Sequence, residues 1–303
     1  MSGRDRATYL QGLLTNDIPA LQAGQGCYAA YLTPQGRMIA DLWVYELGDV
    51  LLLSMLADVK TTVLSKLDQF IFTEDVQLGD VTSTFAALAA VGPAAGATVA
   101  RVLGLDVAGV SAMLEHENRR ATFREHPAIL LRISDLGEPG FDVLVESSFA
   151  PALVEALHEQ GAADLDRDVA EALRIEGGVP KFHQDMDEDT IPLEAGIEAR
   201  AISLTKGCYV GQEVIVRVLH RGHGRVARKL VGLVLDEGAV PGRGDDIQLD
   251  DRAVGEVTSA SWSPARDCAI AIGYVQRDAA VAGTRVRVAG RSAEVVGLPF
   301  VRQ

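Results

Sequence analysis

Cysteine is scarce: Cys27, Cys208 and Cys268 stand far apart among 303 residues, with no CxxC pair. That spacing argues against a disulfide framework and against a self-contained cysteine-cluster metal site, and it suits a reducing cytoplasm. Long apolar runs are also missing. None approaches the roughly 20 residues of a membrane span, and the opening Met-Ser-Gly-Arg-Asp-Arg has no signal-peptide core. Basic residues fall short, 28 against 42 acidic, for a formal charge of −14. Nucleic-acid and anionic-membrane binding both rely on a basic surface, so neither is expected. There is no internal repeat and no low-complexity segment. What the chain has in quantity is apolar side chains, 48% of residues. That is enough for a large core and too much chain for one comfortable core. The expectation is a soluble, cytoplasmic, multi-domain globular protein.

Periodicity divides the chain. Tyr9, Leu10, Leu13 and Leu14 recur at helical spacing until Thr15-Asn16-Asp17 and Pro19 break the pattern. Gly26–Leu32, Met38–Glu46 and Val50–Met55 read as a three-strand antiparallel meander, with Pro34-Gln35-Gly36 as its first turn. Val59, Val63, Leu64, Leu67 and Phe70 mark a helix with Asp58 as a candidate N-cap. Phe85–Val91, Ala121–Arg124, Ile129–Ile133 and Phe141–Val145 read as strands. Ala94–Leu103, Ala150–Gln160 and Asp168–Ile175 read as helices. Strands and helices without regular alternation indicate α+β rather than a doubly wound sheet. Lys181–Ile191 gathers Asp185, Asp187, Glu188 and Asp189 but lacks the glycine and spaced oxygens of a calcium loop, so it reads as a solvated loop. After a boundary near Arg225–Lys229, six short strands separated by Gly, Pro and Asp turns predict a β-barrel of about 70–80 residues.

One stretch stands out chemically: Lys206-Gly-Cys-Tyr-Val-Gly-Gln-Glu213. Gly207 and Gly211 free the backbone for dihedrals that other residues avoid. Val214, Ile215, Val218 and Leu219 fall at helical spacing, so a helix is expected to start near Gly211. A helix N-terminus and Lys206 would both favour a thiolate at Cys208. The same cysteine reads equally well as a small buried filler in a tight turn.

Several ordered blocks resemble one family. Leu10-Gln11-Gly12-Leu13-Leu14-Thr15-Asn16-Asp17, Thr33-Pro34-Gln35-Gly36-Arg37 with Ala40-Asp41-Leu42, Arg174-Ile175-Glu176-Gly177-Gly178 and Pro192-Leu193-Glu194-Ala195-Gly196 resemble blocks of proteins related to the glycine-cleavage T-protein. The Lys206–Glu213 stretch is similar to the hallmark of the YgfZ-type folate-binding branch, associated with iron–sulfur cluster assembly or repair. The resemblance covers nearly the whole chain. It implies a multi-domain α+β fold: two α+β subdomains plus a C-terminal antiparallel β-barrel around a central folate cavity. It places a folate-binding region at residues 1–225, with a middle subdomain of about 80–164 inserted, and the barrel at 226–303. Relatives usually carry a further strand before the Ser-Gly that here follows Met1, so the start is expected to be short.

The implied ligand is tetrahydrofolate or a derivative. Its pterin edge calls for a carboxylate accepting parallel N–H bonds. Glu194, in an apolar segment, is the first candidate, with structural pairing to an arginine as the plain alternative. Glu176 follows, although an Arg174–Glu176 pair would serve as readily as a salt bridge. Tyr209, Tyr28, Tyr31 and Trp43 are candidates for ring contacts, or ordinary core. Asp41 lies in an apolar strand, where a charge needs a partner. By resemblance, an aspartate in this region lies by the folate N5/N10 centre, but the family block usually offers two adjacent acids and here the neighbour is Ala40. Arg217, His220, Arg221, His223, Arg225, Arg228 and Lys229 form the one strong basic cluster. It suits a glutamate tail or a partner's acidic face, or else a solvated linker.

The catalytic candidates are Cys208, Asp41 and Lys206, and no resident metal is expected. Aminomethyl transfer needs no thiol, and one cysteine cannot hold a cluster alone, so Cys208 suggests exchange or a transient hand-off. The reading placed first is therefore a tetrahydrofolate-binding accessory protein for iron–sulfur clusters, with transient client or assembly proteins as partners. The alternative is a folate-dependent aminomethyl- or methyltransferase of the T-protein type. The chain lacks the flavin-binding domain that demethylase-like relatives usually carry.

Overall fold

The computed structural model describes residues 1–221 and 224–301. Two compact units divide the chain. One comprises Met1–Tyr31, Asp41–Asp164 and Ile202–Tyr209; the other comprises Leu32–Ala40, Leu165–Ala201 and Val210–Gln303.

The first unit opens with α1 (Arg6–Gln11), whose Tyr9 hydroxyl donates to the Leu67 carbonyl at the end of α2 (Lys60–Asp68). Between these helices in sequence lie β1 (Gly26–Leu32), β2 (Met38–Glu46) and β3 (Leu51–Ser54), hydrogen-bonded in that order, with Leu32 of β1 and Met38–Ala40 of β2 counted in the second unit. β2 reads as an almost unbroken apolar run because both its faces are covered. Met38, Ala40, Leu42 and Val44 are buried on one side, while Asp41 and Tyr45 are buried on the other. The expected N-cap of α2 is corrected: the cap residue is Val59, with no side-chain cap bond.

β4 (Phe85–Val91), α3 (Ala95–Leu103), α4 (Val107–Ser111), β5 (Asn118–Phe123), β6 (His126–Ile133), β7 (Gly140–Glu146) and α5 (Ala150–Glu159) follow. The four strands form an antiparallel sheet in the order β4-β7-β6-β5. Val99, Leu103, Leu153 and Leu157 pack on its Leu130, Phe141 and Val143. On its other face Ile129, Leu131, Ile133 and Leu144 meet Trp43, Tyr45 and Leu52 of the first sheet. α4 has no counterpart among the expected elements. It is one turn long, and its signal is the cap Asp106, which accepts from the Gly109 amide at 2.7 Å.

The second unit contains α6 (Arg167–Glu176), α7 (Pro192–Ala195), α8 (Glu198–Ala201) and α9 (Gln212–Val216). Then come β8 (Arg228–Leu235), β9 (Asp246–Leu249), β10 (Arg252–Ser263), β11 (Cys268–Gln276), β12 (Arg285–Val288) and β13 (Arg291–Val296). These six close as an antiparallel barrel in the order β10-β11-β8-β13-β12-β9. Leu233, Ile247, Val257, Val286 and Val295 fill it. Gly255 admits the β11 backbone: a Cβ there would stand 1.8 Å from the Tyr274 carbonyl oxygen. On the outside, Ile175 of α6 packs with Ile270, Ile272 and Phe300.

Among the described residues no helix is long and apolar enough to cross a membrane.

Candidate functional site

The Lys206 loop belongs to the first unit and is clasped from below. Lys206 is 8% exposed, and its ammonium donates to the carbonyls of Gln11 at 2.8 Å, Leu14 at 2.6 Å and Asn16 at 2.8 Å. Those three bonds use all three ammonium protons. They supply partners for carbonyls at and just past the end of α1, where a helix leaves such groups unsatisfied and a cation is favoured. The receiving turn is itself fixed to β1. Thr15 Oγ1 accepts from the Ala30 amide at 2.8 Å, and Asn16 Nδ2 donates to the Tyr28 carbonyl at 2.9 Å. Burial pushes the Lys206 pKa down to about 8, which leaves the group protonated at neutral pH. Tyr209 packs its ring 5.0 Å from Lys206 Nζ.

Above this clasp Cys208 is exposed, whereas Cys27 is buried and its thiol is pushed up to about 12 by desolvation. Cys208 is therefore not the buried filler that was its plain alternative. Lys206 spends its donors on carbonyls, and α9 runs on directly into a π-helical turn over Arg217–Arg221. The glycines also divide. Gly211 has φ +84, and a Cβ there would meet the Thr33 carbonyl oxygen at 2.6 Å; Gly207 has open space around it and no left-handed φ.

Asp41 lies in the same unit. It is 5% exposed and accepts from the Tyr28 hydroxyl at 2.8 Å. The Tyr28 and Trp43 rings lie 5.3 Å apart at 44°. Trp43 Nε1 is buried with no hydrogen-bond partner among the described residues. The phenol is one answer to how an apolar strand carries a carboxylate. Tyr31 is 2% exposed and belongs to the core.

Glu194 lies in the second unit, on the one-turn helix α7. Pro192 starts that turn, and Gly196 at φ 71 ends it. Glu194 Oε2 accepts from Arg228 Nε at 3.0 Å, and the Arg228 guanidinium carbon stands 4.3 Å from the centre of the Tyr274 ring. The arginine pairing weighed as the plain alternative is thus present. It leaves Glu194 Oε1 and both Arg228 Nη groups without a partner among the described residues. The Tyr274 hydroxyl is likewise buried and unpartnered.

Glu176 is engaged elsewhere. Its Oε1 accepts from the Ser263 hydroxyl and from the Ala265 amide at 3.2 Å, tying α6 to the end of β10. It does not pair with Arg174, because residues two apart on a helix face different ways. Arg174 instead donates to Asp185 Oδ2 at 2.7 Å, Ser259 Oγ at 2.8 Å and Glu171 Oε1 at 2.6 Å. Asp185 is fully buried and also accepts from Thr258 and Ser259 hydroxyls, both at 2.6 Å. The acidic segment is therefore not simply a solvated loop, although Asp187, Glu188 and Asp189 are exposed. Arg217 pairs with Glu213 one turn away at 2.6 Å. His223 and the side chain of Arg221 lie outside the described residues. Among the described residues no three His, Cys, Asp or Glu side chains are grouped to hold a metal ion. Tyr274, and the role of Arg228 as the partner of Glu194, were missed from sequence. Tyr274 looks like any barrel-strand aromatic, and its signal exists only once β8 and β11 are paired.

The profile described as the GCVT N-terminal domain matches residues 1–206, and that of the glycine cleavage T-protein C-terminal barrel domain matches residues 228–302. An aminomethyltransferase of Rubrobacter xylanophilus is 32% identical over 304 residues, covering 99% of this chain and 80% of that protein. An aminomethyltransferase of Rippkaea orientalis is 29% identical over 316 residues, covering 100% of this chain and 83% of that protein. The crystal structure of glycine cleavage system aminomethyltransferase T from Bartonella henselae superimposes with a TM-score of 0.86 at 24% identity, covering 99% of this chain and 82% of that one. That likeness establishes the fold.

Proposed function

This chain belongs to the glycine cleavage T-protein (GCVT) family, and from that premise we propose that it is a folate-dependent one-carbon transferase of the aminomethyltransferase type. The observation that carries the reading is the Glu194–Arg228 pair. Along one edge a pterin presents an amino group, a ring N–H and an oxo group: donor, donor, acceptor. The carboxylate offers acceptors and the unpartnered guanidinium nitrogens offer donors, so the residues fit a reduced folate. Glu194 and Arg228 would hold that edge. A bound tetrahydrofolate supplies the nitrogens that accept a one-carbon unit. Asp41 is assigned to the transfer, as the carboxylate held by the Tyr28 hydroxyl and able to accept a proton or a hydrogen bond.

A second reading rests on a different observation, the exposed Cys208 on a loop clasped by Lys206. It is the tetrahydrofolate-binding accessory role for iron–sulfur proteins suggested by the YgfZ-like motif, with the thiol acting by exchange or hand-off to a client. The sequence alone ranked this reading first. The aminomethyltransferase relatives support the transferase reading better.

Two assays separate them. Purified protein given an aminomethyl donor and tetrahydrofolate should form methylene-tetrahydrofolate. Asp41→Asn should reduce that rate at least about a hundredfold, and Cys208→Ala should leave it unchanged. In cells lacking the protein, Cys208→Ala should restore iron–sulfur enzyme activity as well as wild type does. Absence of turnover together with failed rescue by Cys208→Ala would move the assignment to the second reading.

A further inference from the structure

Tyr274, on β11, is 5% exposed, yet its hydroxyl has no hydrogen-bond partner among the described residues. Its ring is well placed: the Arg228 guanidinium carbon lies 4.3 Å from the ring centre, and Arg228 Nε bonds Glu194 Oε2 at 3.0 Å. The Thr190 hydroxyl lies beside that of Tyr274, with no bond of good geometry joining the two. It donates to Asp187 Oδ1 at 2.8 Å and accepts from the Asp187 amide at 3.1 Å. Burial keeps the Tyr274 hydroxyl protonated, so it is a donor at any physiological pH. A buried donor left unpaired costs the fold its full desolvation, and such groups call for an explanation. Glu194 Oε1, the Arg228 Nη groups and the Tyr274 hydroxyl thus all lack a partner among the described residues, on side chains linked by one ion pair and one ring contact within the second unit.

We propose that Tyr274 is a further ligand contact of the Glu194–Arg228 cluster. Its ring fixes the plane of the Arg228 guanidinium, and its hydroxyl donates to an oxo or imine acceptor of the bound heterocycle. The ligand class is a planar heteroaromatic carrying both donors and acceptors on its edge. The inference rests on the folate reading and adds a third group to it.

Tyr274→Phe isolates the hydroxyl, because the ring and its contact with Arg228 remain. Tetrahydrofolate is titrated into wild type, Tyr274→Phe and Glu194→Gln by calorimetry, and each ligand-free protein is also melted. Tyr274→Phe should raise the Kd about tenfold, with a ligand-free Tm equal to or above that of wild type, since an unpaired buried group has been removed. A Kd within about twofold of wild type overturns the proposal. So does a ligand-free Tm several degrees lower, which would assign the hydroxyl to the fold through Thr190. Wild type that binds while Glu194→Gln does not, beside a Tyr274→Phe protein that binds normally, refutes this inference alone. Wild type that does not bind refutes it together with the folate reading.

Discussion

At the scale of the residue, buried polar groups are the informative ones. Lys206 shows how a motif lysine can serve as a clasp. Replacing it with Met removes one cation and leaves three carbonyls to find other partners, so Lys206→Met should lose about 2–4 kcal/mol in denaturant unfolding. A loss below about 0.5 kcal/mol would mean that water replaces the ammonium. Asp142, on β7 between Leu131 and Ala89 of the neighbouring strands, behaves in the opposite way. Burial raises its pKa to about 6 from an ordinary 3.8. Between those values the native state holds a proton that the unfolded chain has released, so stability falls as pH rises from about 4 to 6 and stays low above. Asp142→Asn should flatten that slope and stabilise the protein at pH 7 by roughly 1–2 kcal/mol. An unchanged pH profile in the variant would place the titration elsewhere.

At the scale of the element, the hairpin tip and the start of α9 meet through two glycines. A Cβ on Gly36 would lie 2.8 Å from Val214 Cβ, and one on Gly211 2.6 Å from the Thr33 carbonyl oxygen. Gly211→Ala combines that clash with a left-handed φ and should lose about 2–4 kcal/mol, whereas Gly207→Ala should lose under about 0.5. Equal losses would mean the loop is not pinned at Gly211. Much of the architecture was legible in the sequence because it is local. The six barrel strands show alternating apolar residues between Gly, Pro and Asp turns, and Asp246–Leu249 and Arg285–Val288 fall where their pattern put them. What could not be read depends on distant partners. Asp185 looked solvated because Arg174, Thr258 and Ser259 reach it only in the folded unit. Breaking that network with Asp185→Ala, which removes the fully buried carboxylate and leaves Arg174 only Glu171 as a charged partner, should lose about 2–4 kcal/mol. In the candidate site, Glu194 and Asp41 were recognisable as carboxylates in apolar segments, while Tyr274 and the pairing of Arg228 needed the barrel register.

At the scale of the whole molecule, family membership rests on matches across both regions of the chain and on coverage of most of each relative's length. Within that family the proposed activity depends on folate being held by Glu194 and Arg228. The measurement that tests this most directly is the thermal shift of wild type and Glu194→Gln across a tetrahydrofolate titration under anaerobic conditions. Saturating ligand at about 100 times its Kd should stabilise wild type by about 2.7 kcal/mol, and Glu194→Gln should lose most of that shift while melting normally without ligand. An equal shift in the two proteins, or none in wild type at saturation, would contradict the account.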